Sequence, residues 1–139
     1  MREILFRGKE KHHHKWVEGW YCPSVFGMFP PDPAIVPKED ANNGYWHPEM
    51  IVGETLGQYT GLTDKNGKKI FEGDICQIKG ISYLDETPFV VEWNEEFSGW
   101  YWKNLDFASA TDTITAEIAE TSKVIGNIHD NPELLQGGE

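Results

Sequence analysis

A mainly β fold of the α+β class is predicted by three features of this 139-residue chain. Short stretches alternate apolar and polar residues, the pattern of strands with one buried face. Fourteen Gly and eight Pro break the chain into many short elements. Hydrophobic content of 39%, with 18 aromatics, is enough for a packed interior. The length suits a single domain over 1–139, with sub-lobes at 1–60 and 61–136 and a fraying tail at 137–139.

Each element has its own warrant. Arg2–Arg7 alternates, with Ile4 and Phe6 on one face and Glu3, Leu5 and Arg7 on the other. Lys9–Lys15 is polar and turn-like, and Trp16–Tyr21 reads as a second strand closing a hairpin. Pro23–Gly44 reads as a surface insertion, because the prolines at 30, 31 and 33 lack the amide donor. Within it Ile35-Val36 could form a short strand, and Asp40–Gly44 a turn. Glu49–Tyr59 returns to extended structure, and Lys65–Lys68 supplies a tight turn in which Asn66 and Gly67 suit the positive φ of a primed hairpin. A kink at Glu72-Gly73-Asp74 leads into the strand Ile75–Ile78.

Pro88–Trp93 alternates again, with Phe89, Val91 and Trp93 on one face, and Trp100–Lys103 returns after a turn at Asn94–Gly99. Ala108–Thr121 is ambiguous: Ile114 and Ile118 have helical spacing, whereas the Thr content favours strand, and the balance tips to a short helix. Lys123–Ile128 is the last strand. Asn131-Pro132-Glu133 then opens one helical turn, with Asn as cap and Pro at the first helical position.

Charge narrows the function classes. The net charge is −11, and residues 81–139 hold two lysines against twelve acidic residues. Phosphate contacts need a basic patch, so this balance opposes sequence-independent nucleic-acid binding and favours a basic partner or plain solubility. No stretch reaches the roughly 18 apolar residues of a membrane helix. The N-terminus is charged and alternating, unlike a secretory leader. Cys22 and Cys76 lie far apart outside any Cys-x-x-Cys pair, the usage of reduced thiols in a cytosolic protein.

The chemical motifs are weak. His12-His13-His14 places three imidazoles in adjacent positions that do not converge on a metal, so surface histidines are the better reading and no metal site is expected. Gly61–Lys68 has five residues between its glycines where a phosphate loop needs four, and Lys69 stands where that loop has Ser or Thr. Asp64–Gly67 is too short for a calcium loop. No catalytic residue, cofactor or cofactor-binding residue is assigned. Cys76, at a strand start, suits a small buried hydrophobe. The richest surface candidate is the hairpin bearing Trp93, Trp100, Tyr101, Trp102, Glu95 and Glu96. Trp100 and Trp102 share one strand face and Tyr101 takes the other, so one face can form core while the opposite one displays an aromatic. Lys65, Lys68 and Lys69 form a second candidate, a basic turn that joins Arg2, Arg7, Lys9 and Lys11 in number.

Four segments together resemble the YopX family of bacteriophage and prophage proteins. They are Met1–Arg7; Trp16-Val17-Glu18-Gly19; Gly57–Ile75, with its Gln58-Tyr59-Thr60-Gly61-Leu62 run, Asp64–Lys68 turn and Glu72-Gly73-Asp74; and Val124–Leu134. The resemblance implies a small soluble, mainly β or α+β protein and carries no catalytic residues to transfer. Glu72-Gly73-Asp74-Ile75 is in addition similar to the entry of small SH3-like barrels. The strands at 75–78, 89–93, 100–103 and 123–128 would complete such a barrel in the C-terminal half, joined to the N-terminal strands and hairpin. The expected function is that of a non-enzymatic binding protein in the host cytoplasm, acting on a protein partner and able to self-assemble. A nucleic-acid module or acidic DNA mimic ranks second, and an enzyme using the acids near 93–103 last.

Overall fold

A computed structural model describes residues 3–23, 33–44, 47–78, 88–104 and 111–136. The fold is mainly β, its strands arranged in two antiparallel sheets with few helices. Contacts divide the chain into units Met1–Tyr59 and Thr60–Glu139.

In the first unit β1 (Phe6–Lys9) pairs with β2 (Trp16–Cys22), Phe6 opposite Gly19 and Lys9 opposite Trp16. This is the expected hairpin with its first strand begun later. Leu5 and Arg7 supply the buried face while Ile4 is exposed. The Glu10 carboxylate fixes the turn by accepting the backbone N–H groups of His12, His13 and Lys15. Next, β3 (Ala34–Pro37) pairs with β2, β4 (Glu49–Met50) with β3, and the start of β5 (Gly57–Thr63) with β1. The resulting order is β4-β3-β2-β1-β5.

Two expectations for this unit are corrected. Ala34, Ile35 and Val36 are fully buried in an interior strand, so the end of the supposed surface insertion is core. Three consecutive small or β-branched apolar residues outweigh the prolines before them, which at 30 and 31 lie outside the described residues. Lys38–Asn42 forms α1, a short helix where Asp40–Gly44 reads as a turn; Glu39 and Asp40 in its first turn suit the positive helix end.

The second unit takes the remainder of β5, alongside β6 (Lys69–Phe71). Its five-stranded sheet has the order β10-β9-β8-β7-β11. The members are β7 (Asp74–Ile78), β8 (Pro88–Asn94), β9 (Gly99–Asn104), β10 (Thr111–Thr113) and β11 (Ser122–Asn127). The four strands assigned to an SH3-like barrel are all present, but the described residues form no closed barrel: β10 and β11 end the sheet, each paired with a single strand. Ile70, Cys76, Ile78, Phe89, Val91, Trp102 and Val124 make the core, with α2 (Ala116–Thr121) adding Ala119. The ambiguous 108–121 segment therefore holds both a strand and a helix. Thr115 separates them, its side chain accepting the Ile118 N–H as an N-cap. Residues 108–110 of that segment lie outside the described residues.

The central signature is built into this unit's frame. Asp64 accepts the N–H of Asn66 at 2.8 Å, of Lys68 at 2.9 Å and of Val124 at 3.0 Å. Thr60 Oγ1 donates to the Ile70 carbonyl, and Asp74 accepts the Phe71 N–H. The turn is not the primed two-residue type. Gly67 alone takes positive φ there, at 80°, and its N–H bonds back to the Asp64 carbonyl, so three residues span the loop. Gly73, at φ 88°, turns the chain while its N–H donates to Val91 and its carbonyl accepts from Ile128. At the C-terminus Pro132–Gln136 forms a 3-10 helix. Asn131 precedes it, its carbonyl accepting the Leu134 N–H while its Oδ1 accepts the Asn127 N–H. Among the described residues no helix is long and apolar enough to cross a membrane.

Candidate functional site

The β8–β9 hairpin separates its aromatics by alternation. Val91 faces Trp102 and Trp93 faces Trp100 across the strands, while Glu92 faces Tyr101 on the opposite side. Trp102 is only 6% exposed and stacks against Phe89 at 5.4 Å, which makes it a core residue and removes it from the candidate surface. Trp100 packs on the same core half-buried. Its partner Trp93, edge-on at 5.0 Å, lies where the core face runs out and is 41% exposed.

At the hairpin tip Phe97 is 51% exposed, and Glu95 and Glu96 are exposed beside it. The loop is shaped by the Phe97 N–H donating to Asn94 Oδ1 at 3.2 Å and by Ser98 at φ 52°. Phe97 meets Tyr101 edge-on at 6.2 Å. The Tyr101 hydroxyl donates to Glu92 at 2.6 Å. That hydrogen bond, with partial burial and the Glu92 charge, raises the Tyr101 pKa above its ordinary value. The structure thus brings Trp93, Trp100, Tyr101, Glu95 and Glu96 onto one hairpin, with Phe97 as a member sequence reasoning passed over. An isolated Phe between two acids and a Ser, in a segment already read as a turn, was the available signal.

A groove of about 510 Å³ runs along the Glu92 face of this hairpin. Val90, Trp93, Ile128 and Leu135 are among the residues that line it. Glu72, Glu92 and Lys103 supply its charges. The first unit carries a separate groove of about 630 Å³ with both signs of charge, lined by His13, Trp16, Glu18, Lys38 and Glu49 among others. There Lys38 already pairs with Glu18 at 3.2 Å, and Arg7 stacks over the Trp16 ring at 4.6 Å.

The other candidates are placed as follows. Lys65 and Lys68 are exposed in the β5–β6 turn and Lys69 is half-buried at the start of β6. Residues 60–139 around them hold six lysines against fifteen acidic residues. His12, His13 and His14 are exposed, and no group of three or more metal-ligating side chains occurs among the described residues. Neither Cys22 nor Cys76 is in a disulfide among the described residues, and Cys76 is fully buried. Burial pushes the Asp64 carboxyl up, but the N–H donors of Val124, Lys68 and Asn66 together with the Lys68 charge outweigh it and hold the pKa below the ordinary carboxylate value.

A model of the YopX protein family matches residues 5–136. The chain belongs to the YopX family. No curated protein matches it. The crystal structure of protein EF1440 from Enterococcus faecalis is similar to this YopX chain, with a TM-score of 0.58 and 24% sequence identity over 97% of this chain and 99% of that one. At that identity the likeness is one of fold. The YopX match takes in the Gly57–Ile75 signature, whose polar side chains hold the turn and the sheet together.

Proposed function

We propose that this YopX chain is a non-enzymatic binding protein of a phage or prophage, acting in the host cytoplasm on a protein partner through the end of the β8–β9 hairpin. One observation carries the reading: the hairpin end exposes an aromatic on each face, Trp93 beside Trp100 and Phe97 beside Tyr101, with Glu95 and Glu96 exposed at the tip between them. Aromatic anchors within a polar rim are the usual composition of a protein–protein contact. The frame beneath is rigid, because Trp100 and Trp102 fix the hairpin to the core. The acidic excess of residues 60–139 supports a protein partner over nucleic acid.

The test compares wild type with Trp93→Ser and Phe97→Ser in affinity capture from host lysate and in sedimentation velocity. Phe97→Ser removes the more exposed side chain and should nearly keep the wild-type unfolding midpoint, whereas Trp93→Ser also loses the edge-on contact with Trp100 and should cost about 1 kcal/mol while staying folded. The proposal expects a captured partner, or a wild-type self-association, that either substitution abolishes. A monomeric wild type that captures nothing sinks it, and so does capture indifferent to both substitutions.

A further inference from the structure

We infer that the groove on the Glu92 face of the β8–β9 hairpin seats a partner segment presenting one apolar side chain flanked by Lys or Arg. The inference rests on the binding reading above and names the chemistry of the partner.

The apolar part of the groove's lining includes Val90, Trp93, Ile128 and Leu135. Leu135 is 42% exposed, so its side chain offers apolar surface that an incoming residue would cover. The volume of about 510 Å³ fits one or two side chains, not a folded element. Backbone pairing cannot supply the contact. Both edges of β8 are taken by β7 and β9, and both edges of β9 by β8 and β10. A segment must therefore dock through side chains on the sheet face, unlike a peptide adding a strand to a free edge.

Charge selects the flanks. Glu72 and Glu92 line the groove against a single lysine, Lys103. The Tyr101 hydroxyl holds the Glu92 carboxylate in place at 2.6 Å. The surrounding unit carries fifteen acidic residues to six lysines, so a cationic segment is drawn toward this face. A second copy of the chain would bring the same negative excess, which makes it a poorer occupant of this groove than a cationic segment.

The test titrates the full ¹⁵N-labelled chain with three synthetic peptides. One has a leucine flanked by lysines, one the same leucine flanked by glutamates, and one the lysines with glycine replacing leucine. The first should shift the amide signals of Val90, Lys103 and Leu135 saturably. The other two should bind about fivefold more weakly or worse, given the modest energy of each exposed charge pair. Leu135→Ser should weaken the first peptide without moving the unfolding midpoint. Glu72→Gln with Glu92→Gln should erase most of the preference for lysine over glutamate flanks. Equal affinity for all three peptides, or shifts centred away from this groove, overturns the inference. If the peptides fail while Phe97→Ser still abolishes partner capture, only the groove assignment falls. If capture fails as well, the binding reading falls with it.

Discussion

Removing the Asp64 carboxylate should destabilise the second unit by about 3 kcal/mol. The side chain is 4% exposed and accepts three backbone N–H groups, two from its own turn and one from Val124, 60 residues on. In Asp64→Ala the Val124 N–H is left buried without its acceptor, which costs about 1–3 kcal/mol. The Asn66 and Lys68 donors lie at exposed residues and regain water, losing about 0.5–1 kcal/mol each. Asp64→Asn should cost about 2 kcal/mol, because one amide oxygen cannot serve both the turn and Val124. Urea unfolding of the full chain reads the midpoint. Exchange of the Val124 amide reads the site itself and should quicken about a hundredfold in the alanine variant.

The pH dependence has a definite sign. The folded-state pKa of Asp64 is lowered, so its stabilisation is present above the unfolded value near ~3.9 and is lost as pH falls through the folded value. The gap between wild type and Asp64→Asn should therefore be full at neutral pH and shrink below about pH 4. A gap under about 0.5 kcal/mol at neutral pH, or one unchanged on acidification, would refute the reasoning.

Three further outcomes follow from the same structure. Gly19→Ala places a Cβ 1.9 Å from the Val36 carbonyl oxygen on the paired strand, so the first unit should lose about 3 kcal/mol in urea unfolding; a loss under about 1 kcal/mol contradicts that approach. Glu92→Gln removes the charged acceptor of the Tyr101 hydroxyl, so ultraviolet titration should show Tyr101 ionising nearer its ordinary value, and an unmoved titration would mean the bond is not the cause. Trp102 Nε1 is buried without a hydrogen-bond partner among the described residues, so Trp102→Phe sheds an unsatisfied donor along with ring volume and should stay within about 1 kcal/mol of wild type in urea unfolding; a loss beyond about 2 kcal/mol would contradict that offset.

Local alternation made much of the second unit legible. The Phe89-Val91-Trp93 and Trp100-Trp102 patterns place the hairpin's core face correctly, since a period of two leaves little choice once three large residues align. Contacts distant in sequence were not legible. Asp64 invites a local reading as a turn aspartate, and nothing near it announces Val124 as a partner. Ile35 and Val36 were visible as strand formers, but only their pairing with Tyr21 and Trp20 shows that they are core. The α1 helix is barely more than one turn, too short for periodicity to register. At the candidate surface, composition pointed to the tryptophans, whereas burial moves Trp102 inward and brings forward Phe97, which carries no motif.

We propose the Trp93–Phe97 end of the β8–β9 hairpin as the protein-binding surface. Site-specific photo-crosslinking in host cells tests it most directly, with a photoreactive phenylalanine at position 97 and, as control, at the exposed position 65 in the β5–β6 turn. A binding hairpin end should give a discrete protein adduct from position 97, lost on Trp93→Ser, and none from position 65. Adducts of equal yield from both positions, or none from position 97, would contradict it.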